Sequence, residues 1–451
     1  MTEQNASRPA VVLLSIPALA PTDVDRMPHL QRVTSGGCCV PLVPSFPAVT
    51  WPVHAAMVTG LSPKDHGVVG NGFFWRAEGR VEMWTAGNEV IAVPQVWDRL
   101  RQAAQLRSAV WFPMLAKRSS ADYVCMPAPI HNPDGTESLW CYTKPPEYYR
   151  ELLERLGHFP LQHFWGPLAN IKSTAWIVDS AVMAAERFRP DFFFIYLPHL
   201  DYAAQRTGPQ SPEAATAVGE LDQQIGRLAE GLQAAYGGRP ITWLVAGEYR
   251  IVPVDHVLYP NRLLREAGYL VVRESEQGEL LDVGASQAWA MVDHQYSHVF
   301  VRDQDPAVAR RVAQLFSGEP GVAEVLVGPE RAKYGLDCDR AGDVIVISSP
   351  NSWQAYYWWL ADEKAPAFAR TVDIHAKPGY DPVELHFDPV RRAIPIDATL
   401  VRGSHGAPAA DPSQWTVFLA SEASLAPQPT PMSDRGVFGA VLAACGIKEA
   451  D

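Results

Sequence analysis

Three stretches of the chain, residues 11–16, 192–197 and 241–246, are apolar at almost every position, without a polar alternation. Such runs predict strands buried on both faces, as in a parallel sheet. Pro17 ends the first, and residues 39–42 read as another short strand. Between them lie helical patterns: residues 23–35, interrupted at Pro28; a turn from residue 46 leading into VHAAMVTG, closed by Gly60; and a long amphipathic stretch over 211–236. Strands alternating with helices predict an α/β fold, a mostly parallel sheet sandwiched by helices. Residues 73–170 are rich in Trp, Phe, Pro and Tyr and poorly periodic. They are expected to be irregular and to cover a site mouth, with one helix near 146–156. Residues 294–350 change rhythm: a strand at 297–301, a helix at 306–316, strands at 322–327 and 344–348. This pattern predicts a small ferredoxin-like α+β insertion. The tail returns to core-like elements, a strand at 415–419 and a helix at 437–445. The domain expectation is an α/β core from 1–255 and 351–451, with 256–350 inserted as a cap subdomain.

Composition narrows the function. Of 451 residues, 47% are hydrophobic and 20% charged, enough to bury a large core. Thirty-eight basic against fifty acidic residues leave a net charge of -12. That balance argues against nucleic acid or an anionic membrane as partner. A small phosphorylated metabolite stays compatible, because local cations or a metal reverse the field inside a site. Six cysteines at irregular spacing, with no CxxC pair, exclude a thiolate zinc site and suit a reducing compartment. The apolar run at 11–16 is too short for a signal core or a membrane span. The expected location is cytoplasmic.

The chemistry-bearing segment is VPSFPAVTWPVHAAMVTGLSPKDHGVVGNGFFW, residues 43–75. A threonine opens a helix there, followed by TG-x-x-P-x-x-HG and an asparagine. Further segments are YLPHLDYAAQRTGPQSPE (196–213), LVAGEYRI (244–251), DRAGDVIVISSPNSW (339–353) and RGSHGAP (402–408). Together they resemble the alkaline-phosphatase superfamily, in its type I phosphodiesterase/nucleotide pyrophosphatase branch. The resemblance implies that Thr50 is a nucleophile forming a covalent phospho-enzyme. A hydroxyl at a helix N-terminus, beside free backbone N–H groups, suits an attacking group facing phosphate. By the same resemblance Asn71 donates a hydrogen bond to a phosphate oxygen. Structurally, Thr50 also reads as a plain helix cap and Asn71 as a turn residue.

Typical members hold two zinc ions with six Asp and His side chains. This chain departs from that set. Pro17 stands where the first Asp belongs. The D-x-x-x-H pair becomes Asp201 and Gln205, and the consecutive Asp-His becomes Glu248 and Tyr249; the late histidine survives as His405. The resemblance therefore implies one divalent ion, zinc before manganese or magnesium, at Asp201 and His405, with Gln205 as a neutral donor and Glu248 nearby. A third ligand is sought among His199, on the same face of an extended segment as Asp201, and Asp293, His294 and His298. Each of these histidines also reads as structural.

A second dense segment, ARTVDIHAKPGYDPVELHFDP (369–389), is a loop rich in ionisable groups. It resembles a bacterial branch with the same altered ligands. His375, Lys377 and Tyr249, with Arg206 and Arg402 beside the two metal motifs, are candidate substrate contacts. The aromatic run at 353–360 reads as core packing. The expected function is metal-assisted hydrolysis of phosphate mono- or diesters. The alternatives are a non-hydrolytic pseudo-enzyme that binds a phosphorylated metabolite, or a metal-dependent lyase, isomerase or transferase. Every version requires residues 50, 71, 201, 248 and 405 to converge on one cavity.

Overall fold

The structure, a computed structural model, describes residues 8–131, 137–426 and 429–448. Among the described residues a nine-stranded sheet forms the centre. Its strands are β1 (Ala10–Ile16), β2 (Cys38–Val43), β3 (Ser108–Trp111), β4 (Tyr123–Pro127), β5 (Cys141–Lys144), β6 (Phe192–Tyr196), β7 (Ile241–Gly247), β8 (Thr416–Ala420) and β9 (Met432–Ser433). The spatial order is β9-β2-β8-β7-β1-β6-β3-β4-β5. Only β8 and β5 run against their neighbours.

Strand β1 lies between β6 and β7, parallel to both, and every one of its residues is buried. Its side chains alternate between two cores, which is why its sequence does not alternate in polarity. Val12, Leu14 and Ile16 pack with Ile177 of helix α4 (Ile171–Phe188) and Leu221 of α6 (Pro212–Tyr236). Val11 and Leu13 pack on the other face, with Val53 of α1 (Thr50–Thr59), Leu100 of α2 (Val96–Ala104) and Val441 of α7 (Gly436–Ala444). Two further helices of the core are α3 (Tyr148–Leu156) and α5 (His199–Thr207), the latter directly after β6.

A second sheet places Ala288–Asp293, Tyr296–Val301, Val344–Ser348 and Val322–Val327 side by side, all antiparallel. Tyr296–Val301 and Val322–Val327 are joined by the helix Pro306–Phe316 and flank Val344–Ser348. This is the split β-α-β arrangement expected from the sequence, extended by one hairpin strand. The hairpin turns at His294, whose backbone is left-handed at φ 60. The aromatic run is core: Trp353, Tyr356, Tyr357, Trp358 and Trp359 are all buried.

Two expectations need correction. Residues 73–170 hold the expected helix, as α3, but they also supply β3, β4 and β5 of the central sheet and helix α2, which their poor periodicity does not predict. The strands there are only four or five residues long, too short to show a period. Residues 199–201 are not extended but open helix α5, so His199 and Asp201 do not share a direction.

The site loop leaves the sheet at Gly247. A Cβ there would lie 1.7 Å from Thr416 Oγ1, which donates to Leu19 O at 2.7 Å. Gly247→Ala is expected to cost about 1–3 kcal/mol through overpacking, measurable as a lowered thermal midpoint.

Candidate active site

Helix α1 begins at Thr50, following extended backbone at Val49. The Trp51 N–H donates to Asn71 Oδ1 at 3.1 Å, so Asn71 closes the first turn of this helix. Thr50 opens onto a cavity of about 1200 Å³ shared with Asp201, Tyr249, His294 and Tyr380.

A hydrogen-bond chain runs across the cavity floor. The hydroxyls of Thr50 and Tyr249 are 3.2 Å apart. Tyr249 donates to Asp201 Oδ1 at 3.4 Å, and Gln205 donates to Asp201 Oδ2 at 2.8 Å. Tyr380 then donates to Gln205 Oε1 at 2.8 Å. The Tyr249 ring lies flat on His405, centroids 3.6 Å apart and planes 4° apart. His405 uses Nδ1 toward Ala48 O at 2.8 Å, while its buried Nε2 has no partner. His294 stacks on Tyr380 at 3.6 Å and touches His405 at 3.8 Å. Its Nδ1 meets Asp293 Oδ1 at 2.5 Å.

Burial governs the charges here. Burial first, then the Glu248 charge, pushes the Asp201 carboxyl up to about 8, against the hydrogen bonds from Gln205 and Tyr249. Burial also holds the His294 and His405 imidazoles well below their ordinary range, so both are neutral. Asp293 is raised by burial, an effect opposed by hydrogen bonds from Asn71 and Tyr296 and by His405.

The other sequence candidates are placed as follows. Asn71 is fully buried, and its Nδ2 donates to Asp293 at 3.2 Å rather than into the cavity. Glu248 turns beneath α1, where its Oε1 accepts from Ser15 at 2.8 Å and lies 2.8 Å from His54 Nε2. His199 faces Glu220 at 2.7 Å, on the side toward α6. His298 has both nitrogens engaged, by Val69 O and by the Gly342 N–H. Lys377 is sealed in a cluster with Asp381 at 2.9 Å and Glu384 at 2.5 Å. Arg206 and Arg402 act on His386, which their charges help to lower, and neither lines the cavity. His375 lines it, with Nδ1 3.0 Å from Met83 O. Thus residues 50, 201, 249, 294 and 405 come together with Tyr380, while 71 and 248 support from behind. Tyr380 was not singled out by sequence. Its position depends on Gly379, where a Cβ would lie 2.8 Å from Val292 O.

These residues do not fit a two-ion centre. Pro17 offers no ligand, both Asp201 oxygens accept hydrogen bonds, Gln205 Oε1 is taken by Tyr380, and Glu248 points away. The orphaned His405 Nε2 is one suitable donor, but among the described residues no three His, Cys, Asp or Glu gather as a ligand set.

Residues 11–381 match the family model described as type I phosphodiesterase/nucleotide pyrophosphatase. The chain belongs to that family. The solved structures agree on the fold of the family. A phosphonoacetate hydrolase from Sinorhizobium meliloti 1021, in complex with phosphonoformate, superposes with a TM-score of 0.62 at 16% identity, over 97% of this chain and 96% of that one. Murine ectonucleotide pyrophosphatase/phosphodiesterase 5, in complex with AMP, gives 0.62 at 13% identity, over 98% and 96%. An uncharacterized pyrophosphatase/phosphodiesterase of Schizosaccharomyces pombe is 26% identical over 242 residues, 52% of this chain and 42% of that protein. The chain therefore matches less than half of that relative's length.

The raised Asp201 carboxyl has a stability consequence. It binds a proton more tightly in the folded state than its ordinary value of 3.8 allows. The folded state therefore loses stability as pH rises from about 4 to about 8. Asp201→Asn removes this loss. Its thermal midpoint is expected to equal the parent's near pH 4 and to exceed it progressively up to about pH 8, read by scanning calorimetry.

Proposed function

We propose that this protein hydrolyses small phosphate mono- or diesters, with Thr50 as nucleophile. The observation that carries this reading is the chain from the Thr50 hydroxyl through Tyr249 to Asp201, at 3.2 and 3.4 Å, facing a cavity of about 1200 Å³. As Thr50 Oγ bonds to phosphorus, its proton passes to the Tyr249 oxygen and the Tyr249 proton passes to the Asp201 carboxylate. The bond from phosphorus to the leaving oxygen breaks, and that oxygen takes a proton from water. Water then attacks the phosphothreonine and gives one proton to the hydroxide left by the first step, and the Thr50 oxygen leaves with the proton returned from Asp201 through Tyr249. A carboxyl pushed up to about 8 suits this exchange, because it changes state near working pH. The dipole of α1 favours an anion at Thr50, while its first-turn N–H groups are engaged within the protein, Trp51 to Asn71 and Val53 to Val49 O, and Pro52 has none.

In this reading residues 256–350 act as a cap subdomain that contributes Asp293 and His294 to the site built on 1–255 and 351–451. The six cysteines are all thiols, which suits work in the cytoplasm, and among the described residues no helix is long and apolar enough to cross a membrane.

A second reading, a binding protein without turnover, is favoured by one observation: Pro17, Gln205 and Tyr249 replace ligands that typical members use. The two are separated by assaying p-nitrophenyl phosphate and bis(p-nitrophenyl) phosphate with and without added zinc, manganese or magnesium. Hydrolysis that falls by about 10³-fold or more in Thr50→Ala supports the enzyme. Absence of turnover in every condition, with AMP still bound, supports the binding protein.

A further inference from the structure

Beyond the reacting floor, the cavity has a charge balance and a wall chemistry that bear on substrate class. Among the described lining residues Lys117 is the one lysine or arginine, and it shares the cavity with the carboxyls of Asp201 and Asp373. Arg206, Arg402 and Lys377 are outside the lining. A second or third phosphate would enter without a cation cluster to compensate its desolvation.

The walls are apolar and aromatic. Trp84, Met114, Met126 and Trp165 line the cavity, and Val372, 48% exposed, carries the apolar surface to its mouth. Trp165 packs on Tyr380 at 5.4 Å and on Tyr202 at 6.2 Å. Its indole is fixed: Nε1 donates to Glu384 Oε2 at 2.6 Å. Glu384 is held by Lys377 at 2.5 Å, and its Oε1 also accepts the Asp373 N–H at 3.0 Å. Lys377, wholly buried, further donates to Asp381 and to Thr371 O. A sealed lysine with two carboxylates contributes little net stability. What this cluster does do is hold an aromatic wall and the 371–376 segment, two sides of one cavity, in fixed positions. A volume of about 1200 Å³ far exceeds what a phosphate alone needs.

We infer that the site selects phosphoesters with a single phosphorus and an aryl group, the ring stacking against the Trp165 wall while the phosphate meets Thr50. This rests on the hydrolase reading for the phosphate position. Binding of non-hydrolysable phosphonates tests it separately from turnover. Calorimetric titration of the full chain is expected to show benzylphosphonate and 1-naphthylmethylphosphonate binding about tenfold tighter than methylphosphonate, and tighter than hexylphosphonate. Affinity is expected to fall along AMP, ADP and ATP. Trp165→Leu is expected to abolish the aryl preference, so that benzylphosphonate and methylphosphonate bind equally, and Glu384→Gln to reduce it. Methylphosphonate or hexylphosphonate binding as tightly as the aryl ligands in the parent protein overturns the inference, as does affinity rising from AMP to ATP. Aryl preference without any hydrolysis upholds the inference and removes the hydrolase reading.

Discussion

The stacking of the Tyr249 ring on His405 organises this site. It fixes the phenol so that its hydroxyl stands between Thr50 and Asp201, groups from three distant stretches of sequence. The loop that presents it is pinned to the end of the central strand: the Glu248 N–H donates to Ile16 O, and the Ala18 N–H donates to Tyr249 O. Consecutive residues therefore serve opposite sides. Glu248 goes under α1 to Ser15 and His54, and Tyr249 goes over it into the cavity. Gly247 lets β7 end against Thr416, so this division occurs at the C-terminal end of an interior strand.

Three buried carboxyls crowd this region, and each is accommodated differently. Glu248 meets a hydroxyl and an imidazole. Asp293 accepts from the Asn71 backbone and side chain and from Tyr296, and contacts His294. Asp201 accepts from Gln205 and Tyr249, and its carboxyl is raised to about 8, while burial raises that of Asp293 as well. Neutral hydrogen-bond donors thus stand beside Asp201, where a cationic centre would hold the carboxyl ionised. Gln205 and Tyr249 are a coherent pair, since each donates to the same carboxylate.

The sequence was informative where burial acts along the chain. The runs of β1, β6 and β7 are apolar on both faces because each face packs on helices, so they were legible without homologues. Strands β3 and β4 were not, being four and five residues within an aromatic-rich stretch. At the site, the resemblance points to Thr50, Asp201 and His405, and Tyr249 brings the three together by its hydrogen bonds and its stack. Directions were not legible: Glu248 and His298 turn toward partners far away in sequence, His199 toward the next helix, and Lys377 back into its own loop. Tyr249 was named for a substrate contact, and nothing along the chain indicates that its ring would lie on His405.

In the proposed hydrolysis the Tyr249 hydroxyl joins Thr50 to Asp201, a role the ring alone cannot fill. Steady-state kinetics of Tyr249→Phe, which keeps the stack on His405 and removes the oxygen, test it most directly. The account predicts a fall in kcat of about 10²-fold or more with KM nearly unchanged. A variant that turns over as fast as the parent would contradict it.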